Sequence, residues 1–181
     1  MMYKETKPSN IQEGVWDEKS CVRRQCGFVV NQDKLPKDLK WLPKGAPLAY
    51  DEATDKVNVC KTAKVYENAA KSGVSVKVYK GHLLQVNDTI GGSTISAIDT
   101  SNANFDTLTV SALAEKADKD TVLDDGNAAK VVGLNYATIE LDGQQSCTPT
   151  LQAYEIEEGT LPYPLNNAIK TALTCRHAFK L

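Results

Sequence analysis

The sequence predicts a mainly β protein: a compact β-sandwich or small barrel with an irregular N-terminal arm and a C-terminal amphipathic helix. Short apolar runs alternate with period two through the middle of the chain. Turn-forming residues recur between these runs at strand spacing. A helical period enters only near the C-terminus. The 181 residues, 41% of them hydrophobic and 24% charged, are enough to bury a core. The pattern divides into an arm over residues 1–45, a β-rich core over 46–150 and a C-terminal segment over 151–181.

The arm carries scattered charge, three prolines (Pro8, Pro36, Pro43) and little period. Gly27-Phe28-Val29-Val30 is its one short strand candidate. It also holds Trp16 and Trp41, the chain's two tryptophans. Either these rings dock on the domain's own core, or the arm lies on another subunit, where Trp and Arg are favoured anchors.

From Ala46 the pattern is a hairpin. Pro47-Leu48-Ala49-Tyr50 leads through a turn at 51–55 into an alternating strand over 56–66, with Val57, Val59, Ala63 and Val65 on one face and Lys61 interrupting it. A connector over 67–73, read as a helical turn ending at Gly73, precedes a second alternating strand that sets Val74, Val76 and Val78 opposite Ser75, Lys77 and Tyr79. Asn87, tolerant of positive φ, separates 83–86 from 88–90. After Gly91-Gly92-Ser93 come strands at 95–98 and 105–110. Residues 111–117 read as helical turns with Ser111 as N-cap, and 118–127 as an exposed loop. Strands at 131–132 and 134–141 close at Asp142-Gly143.

The C-terminal segment places Leu165, Ala168, Ile169, Ala172 and Leu173 on one helical stripe. Pro164 suits the first turn. Arg176 and His177 sit where the carboxyl end of a helix favours cations. The stripe covers either the protein's own core or a neighbouring subunit.

A net charge of −2 and a pI near 5.7 give no global cationic field for a nucleic-acid backbone. No apolar run reaches the ~20 residues of a membrane span, and the first residues lack the apolar stretch of a secretory signal. The five cysteines, Cys21, Cys26, Cys60, Cys147 and Cys175, are odd in number and read as reduced thiols. Cys21 and Cys26 have the gap of a zinc half-site but no second tight pair to complete it. Cys175 and His177, two positions apart, face different ways on a helix. His82 and His177 are the only histidines.

No P-loop, nucleophile elbow or His-Glu-x-x-His occurs. Gly91-Gly92-Ser93-Thr94 lacks the lysine and the helix of a phosphate cradle. Asp118, Asp120, Asp124 and Asp125 read as a solvated loop, without the tight alternation calcium requires. No catalytic, metal or cofactor residues are expected, and the chain does not read as an enzyme. Thr54-Asp55-Lys56 resembles the hairpin tip of lipoyl carrier domains, whose lysine bears the cofactor. The likeness covers six residues, and Thr-Asp-Lys is also an ordinary turn.

A longer likeness lies in Leu42-Pro43-Lys44-Gly45-Ala46-Pro47-Leu48-Ala49-Tyr50-Asp51, continued by Lys56-Val57 and Lys61-Thr62-Ala63-Lys64-Val65. It extends through Val76-Lys77-Val78-Tyr79-Lys80-Gly81-His82 and Val86-Asn87-Asp88-Thr89-Ile90. Over residues 27–100 this resembles the head fibre and capsid-decoration proteins of tailed bacteriophages, especially those of gut bacteria and their prophages. Val86-Asn87-Asp88 departs mildly from the Val-Gly-Asp of related segments. The resemblance implies a non-enzymatic structural protein, made in the bacterial cytoplasm and located on the capsid exterior of the virion. Its implied partners are the major capsid protein and further copies of itself, commonly as a trimer. Trp16, Arg23, Arg24, Phe28 and Trp41 are the candidate anchors, with a solvated turn as the plainer reading of Arg23-Arg24. The alternative function is a glycan- or cell-surface-binding adhesion module, against which aromatic content of only 7% counts.

Overall fold

A computed structural model describes residues 14–25, 27–143, 145–173 and 176–179. The protein is mainly β. Its strands in chain order are β1 (Val22–Arg23), β2 (Phe28–Val30), β3 (Trp41–Leu42), β4 (Pro47–Asp51), β5 (Lys56–Val59), β6 (Thr62–Lys64), β7 (Ser75–Tyr79) and β8 (Thr89–Ile90). They continue as β9 (Ser93–Asp99), β10 (Phe105–Val110), β11 (Val122–Asp124), β12 (Val131–Leu134), β13 (Ile139–Glu140), β14 (Ser146–Cys147), β15 (Thr150–Ile156) and β16 (His177–Phe179). One short helix, α1 (Asn167–Leu173), precedes β16.

The strands group into two bodies. In the first, the base, segments from the two ends of the chain pair in nested order: β1 with β15, β2 with β14, β3 with β13 and β4 with β12, all antiparallel. β5 completes a five-stranded sheet by lying between β4 and β2, parallel to the latter. The second body, the insert, spans residues 61–125. Its four-stranded sheet runs β7-β10-β9-β8, beside a β11-β6 ribbon. A bridge between Val65 and Val78 joins β6 to β7, and the Gly91 N–H donates to Asp124 O at 3.0 Å, so the strands curl around one core. That core is the inward face of each alternating run: Ala63, Val65, Val76, Val78, Ile95, Leu108 and Val110.

The long strand expected over 56–66 is broken at Cys60–Lys61, where the chain crosses between bodies. The Cys60 N–H still bonds Pro47 O of the base at 2.9 Å, whereas the Lys61 N–H bonds Asp125 Oδ2 at 3.1 Å and Lys61 O accepts from the Asp125 N–H at 3.0 Å. Val57 and Val59 consequently face the base core, and Ala63 and Val65 the insert core. Lys61, which interrupts the apolar face, is buried at the joint and pairs with Asp88 at 2.5 Å.

Neither helical turn expected in the insert forms. Residues 67–73 and 111–117 lie against each other instead: the Ser72 N–H donates to Leu113 O, the Leu113 N–H to Gly73 O, and Ala69 and Ala117 exchange both backbone bonds. Strand 134–141 is also interrupted. Asn135 is fully buried there, and its Nδ2 donates to the carbonyls of Leu42, Pro43 and Ala137. Asn87 does adopt positive φ, at 74°.

The C-terminal stripe packs on the protein's own base, with Leu165, Ile169 and Leu173 in one core with Trp16, Leu134 and Ile156. The helix begins at Asn167, and Asn166 Oδ1 caps it by accepting from the Ile169 N–H at 2.9 Å. His177 opens β16, parallel to β15, and its ring still reaches the carboxyl end of α1, with Nδ1 3.1 Å from the carbonyl of Leu173, the last helical residue. Close packing of β12 on β15 requires glycine at 133, where a Cβ would lie 2.2 Å from Thr150 O.

Candidate functional site

The described part of the arm is woven into the base, because β1, β2 and β3 find their partners in the last third of the chain. Trp16 is buried beside Val15, with the Lys44 ammonium 4.6 Å above its ring and Lys44 in turn paired with Glu18. That ring is committed to the protein's own core. Trp41 lies in β3, half-buried and opposite Glu140.

The other three anchor candidates cluster near β1. The Arg23 guanidinium lies 5.3 Å from the Tyr136 ring and that of Arg24 lies 5.9 Å from the Phe28 ring. Phe28 meets Tyr50 edge-on at 5.4 Å. β1 is an edge strand of the β1-β15-β16 sheet, with one side unpaired. On the same sheet Val22 and Tyr154 are 46% and 43% exposed; in the insert Val74 and Val86 are 58% and 48% exposed. Sequence reading missed Val22 and Tyr154. The available signal was Val22 itself, an apolar residue beside two arginines in a polar stretch. The structure thus sets Arg23 against Tyr136 and Arg24 against Phe28 beside the edge strand β1, with exposed Val22 on that strand and exposed Tyr154 on its neighbour β15, and buries Trp16 in the core.

The described cysteines and histidines are buried or partly buried. Among the described residues Cys21, Cys60 and Cys147 are free. Burial, with help from Glu18, pushes the Cys21 thiol up to about 11, and burial pushes Cys147 up to about 12. Burial, reinforced by Asp125, pushes Cys60 upward as well. Such thiols stay protonated and are poor nucleophiles. Cys26 and Cys175 lie outside the described residues.

His177 and Thr150 have the pairing of a base and a nucleophile, with Nε2 and Oγ1 2.9 Å apart. Both are buried, however, and the remaining contacts define a structural role. His177 Nδ1 lies 3.1 Å from Leu173 O, so the proton belongs on Nδ1, and Nε2 accepts from the Thr150 hydroxyl. Thr150 Oγ1 also accepts from the Leu134 N–H. The network ties α1, β12, β15 and β16 together.

His82 is similarly enclosed. Its Nδ1 accepts from the Leu84 N–H at 3.2 Å, and Nε2 lies 3.3 Å from Asp106 Oδ2 without the alignment of a hydrogen bond. Asp106 is bonded by Lys80 at 2.6 Å.

The remaining sequence candidates resolve into turns and joints. Gly91 and Gly92 form the left-handed turn between β8 and β9. Asp124 and Asp125 bind Asn166 and the Lys61 backbone, while Asp120 pairs with Lys64. No group of three or more His, Cys, Asp or Glu among the described residues is arranged to hold a metal ion. Lys56 opens β5 directly after the turn at 52–55, partly exposed and in register with Asp51 on one side and Val29 on the other. No described helix is long and apolar enough to cross a membrane. Compared with protein-family models, curated proteins and solved structures, the chain matches none.

Proposed function

We propose that this is a structural virion protein that binds the outer surface of a phage capsid, with the base as its attachment side and the insert projecting outward. The observation that carries this reading is the β1 edge. It combines an unpaired strand, arginines held against aromatic rings, and exposed Val22 and Tyr154. Interfaces favour such a mixture of aromatic, arginine and apolar groups.

Two further features support it. The polar groups that could have served chemistry are engaged in internal bonds: Lys61 with Asp88, and His177 with Thr150. The strand-and-turn sequence over 27–100 resembles head fibre and decoration proteins. A decoration protein adds to a shell by burying area across subunit joints, at ~25 cal/mol per Å² of apolar surface before ordering costs. Occupying a capsid's repeated sites as a trimer would multiply a modest single-edge affinity.

Co-sedimentation with purified cognate shells, read beside the solution mass, tests this proposal. Saturable binding at lattice stoichiometry is expected, weakened by Arg23→Glu or Val22→Asp. Failure to sediment with the shells would reject it.

A further inference from the structure

Alternation in the insert sends one set of side chains inward and the other to a continuous outer face. Along β6 and the two residues that follow it, Ala63 and Val65 point into the core, so Lys64 and Tyr66 point out. On β7 and β10 the outward set includes Lys77, Tyr79 and Phe105, and Tyr79 and Phe105 are directly opposite in register. Tyr66 stands against both, 5.0 Å from the Tyr79 ring and 4.8 Å from the Phe105 ring. All three rings are partly exposed. A chain with only 7% aromatic residues therefore concentrates three of them on one small face.

This face runs into a cleft of about 340 Å³. Tyr79 and Lys64 line one side, and Leu161, Pro162 and Pro164 of the C-terminal segment line the other. The volume is at the lower end of the roughly 300–1,000 Å³ typical of small-molecule sites.

Charge selects the kind of ligand. Each cation here already has an anion: Lys64 with Asp120 at 2.9 Å, Lys77 with Glu67 at 2.8 Å and Lys80 with Asp106 at 2.6 Å. Lys64, and after it Lys119 and the Tyr79 hydroxyl, hold the exposed Asp120 carboxylate below its ordinary range. No excess charge remains to attract a phosphate or an acidic polymer. The Lys64 ammonium lies 5.5 Å from the Tyr79 ring centre and that of Lys77 5.2 Å from the Phe105 ring centre. The part of the rings that stays exposed therefore sits directly beside donors and acceptors. A peptide that adds a strand has no purchase, because β6, β7 and β10 are each flanked on both sides.

A sugar ring meets these conditions. Its C–H face stacks on an aromatic ring, and each hydroxyl both donates and accepts. We propose that the Tyr66–Tyr79–Phe105 face, with its adjoining cleft, is a binding site for a neutral oligosaccharide.

The test uses the free, full-length protein, so its outcome is independent of capsid attachment. The probes are soluble tetramers of β-1,4-linked glucose, β-1,4-linked N-acetylglucosamine and α-linked mannose. Sialylated and polygalacturonate oligomers serve as acidic comparisons. Binding is read by calorimetry and by NMR shift mapping on the unaltered protein. At least one neutral probe is expected to bind, moving signals of Tyr66, Tyr79 and Phe105. Tyr79→Ala should weaken binding roughly tenfold, while Tyr79→Phe, which keeps the ring, should stay within about threefold. Val22→Ser on the base should change nothing. Three results would each overturn the proposal: no neutral probe binds, only acidic probes bind, or shifts map elsewhere on the protein. Shift mapping needs no variant, so it decides the matter even if Tyr79→Ala does not fold.

Discussion

In the insert, β8, β9 and β10 follow one another and pair as they emerge, and β7 joins β10 across a single intervening excursion. In the base, β1 must find β15 and β2 must find β14, partners from opposite ends of the chain. The insert core lies on the inward side of regular alternating runs. The base has two separate cores, sealed by polar devices: Asn135 holding three carbonyls, and Thr150 with His177. Near-neighbour pairing needs little loop closure, whereas end-to-end pairing needs nearly the whole chain. The same polypeptide thus contains a locally specified module set into a globally specified one.

Breaking the base at its tightest contact should give the largest effect. Gly133→Ala would drive a Cβ to 2.2 Å from the Thr150 carbonyl, and backbone cannot yield as a side chain can. We expect a loss of at least about 3 kcal/mol in chemical denaturation. Hydrogen exchange should accelerate in β12 and β15 before it does in β9 and β10. Uniform acceleration would mean that the two bodies open as one.

The joint gives a smaller and more selective effect. Lys61→Met leaves Asp88 without its ion-pair partner. A fully buried orphan would cost several kcal/mol, but Asp88 is 21% exposed and keeps the Gln85 N–H at 2.7 Å. A loss of about 1–2 kcal/mol is expected, much of it recovered by adding Asp88→Asn, with faster exchange at the Gln85 amide.

Acid should separate the two regions more gently. Burial holds both histidines below their ordinary value of 6.5. A group whose folded value is depressed favours the neutral form in the native state. The stability it secures is complete above 6.5 and is lost as pH falls from there through the folded value. In the insert, Asp106 faces His82 and offsets part of the burial effect, while Lys80 adds to it. In the base, only the Leu173 carbonyl offsets burial for His177. Denaturation midpoints measured between pH 7 and 5 should therefore decline, and His177→Gln should flatten that decline more than His82→Gln. The reverse order would contradict this account of the two sites.

The contrast also explains what could be read from the sequence. Val76 and Val78, Leu108 and Val110, and the turn at Asn87 were legible because each reports a local rule of alternation or positive φ. The break at Cys60–Lys61 was visible only as a charge on an apolar face; its cause, Asp125, lies far along the chain. Helical turns at 67–73 and 111–117 fitted local propensity, but mutual backbone pairing overrode it. In the base, strands such as β1 and β14 are two residues long, too short to show a period, and take their identity from distant partners. The anchor candidates divide similarly. Composition could flag Trp16 and Arg23 alike, but only packing distinguishes the enclosed ring from the exposed guanidinium. The aromatic face of the insert was diluted in a chain-wide percentage, whereas register is what assembles it.

Hydrogen exchange of the protein free and bound to capsid shells decides the proposed attachment through the base with the insert outward. New protection is expected at Val22, Arg23 and the neighbouring residues of β15, with exchange on β7, β9 and β10 unchanged. Protection confined to the insert, with β1 and β15 as open as in the free protein, would contradict it.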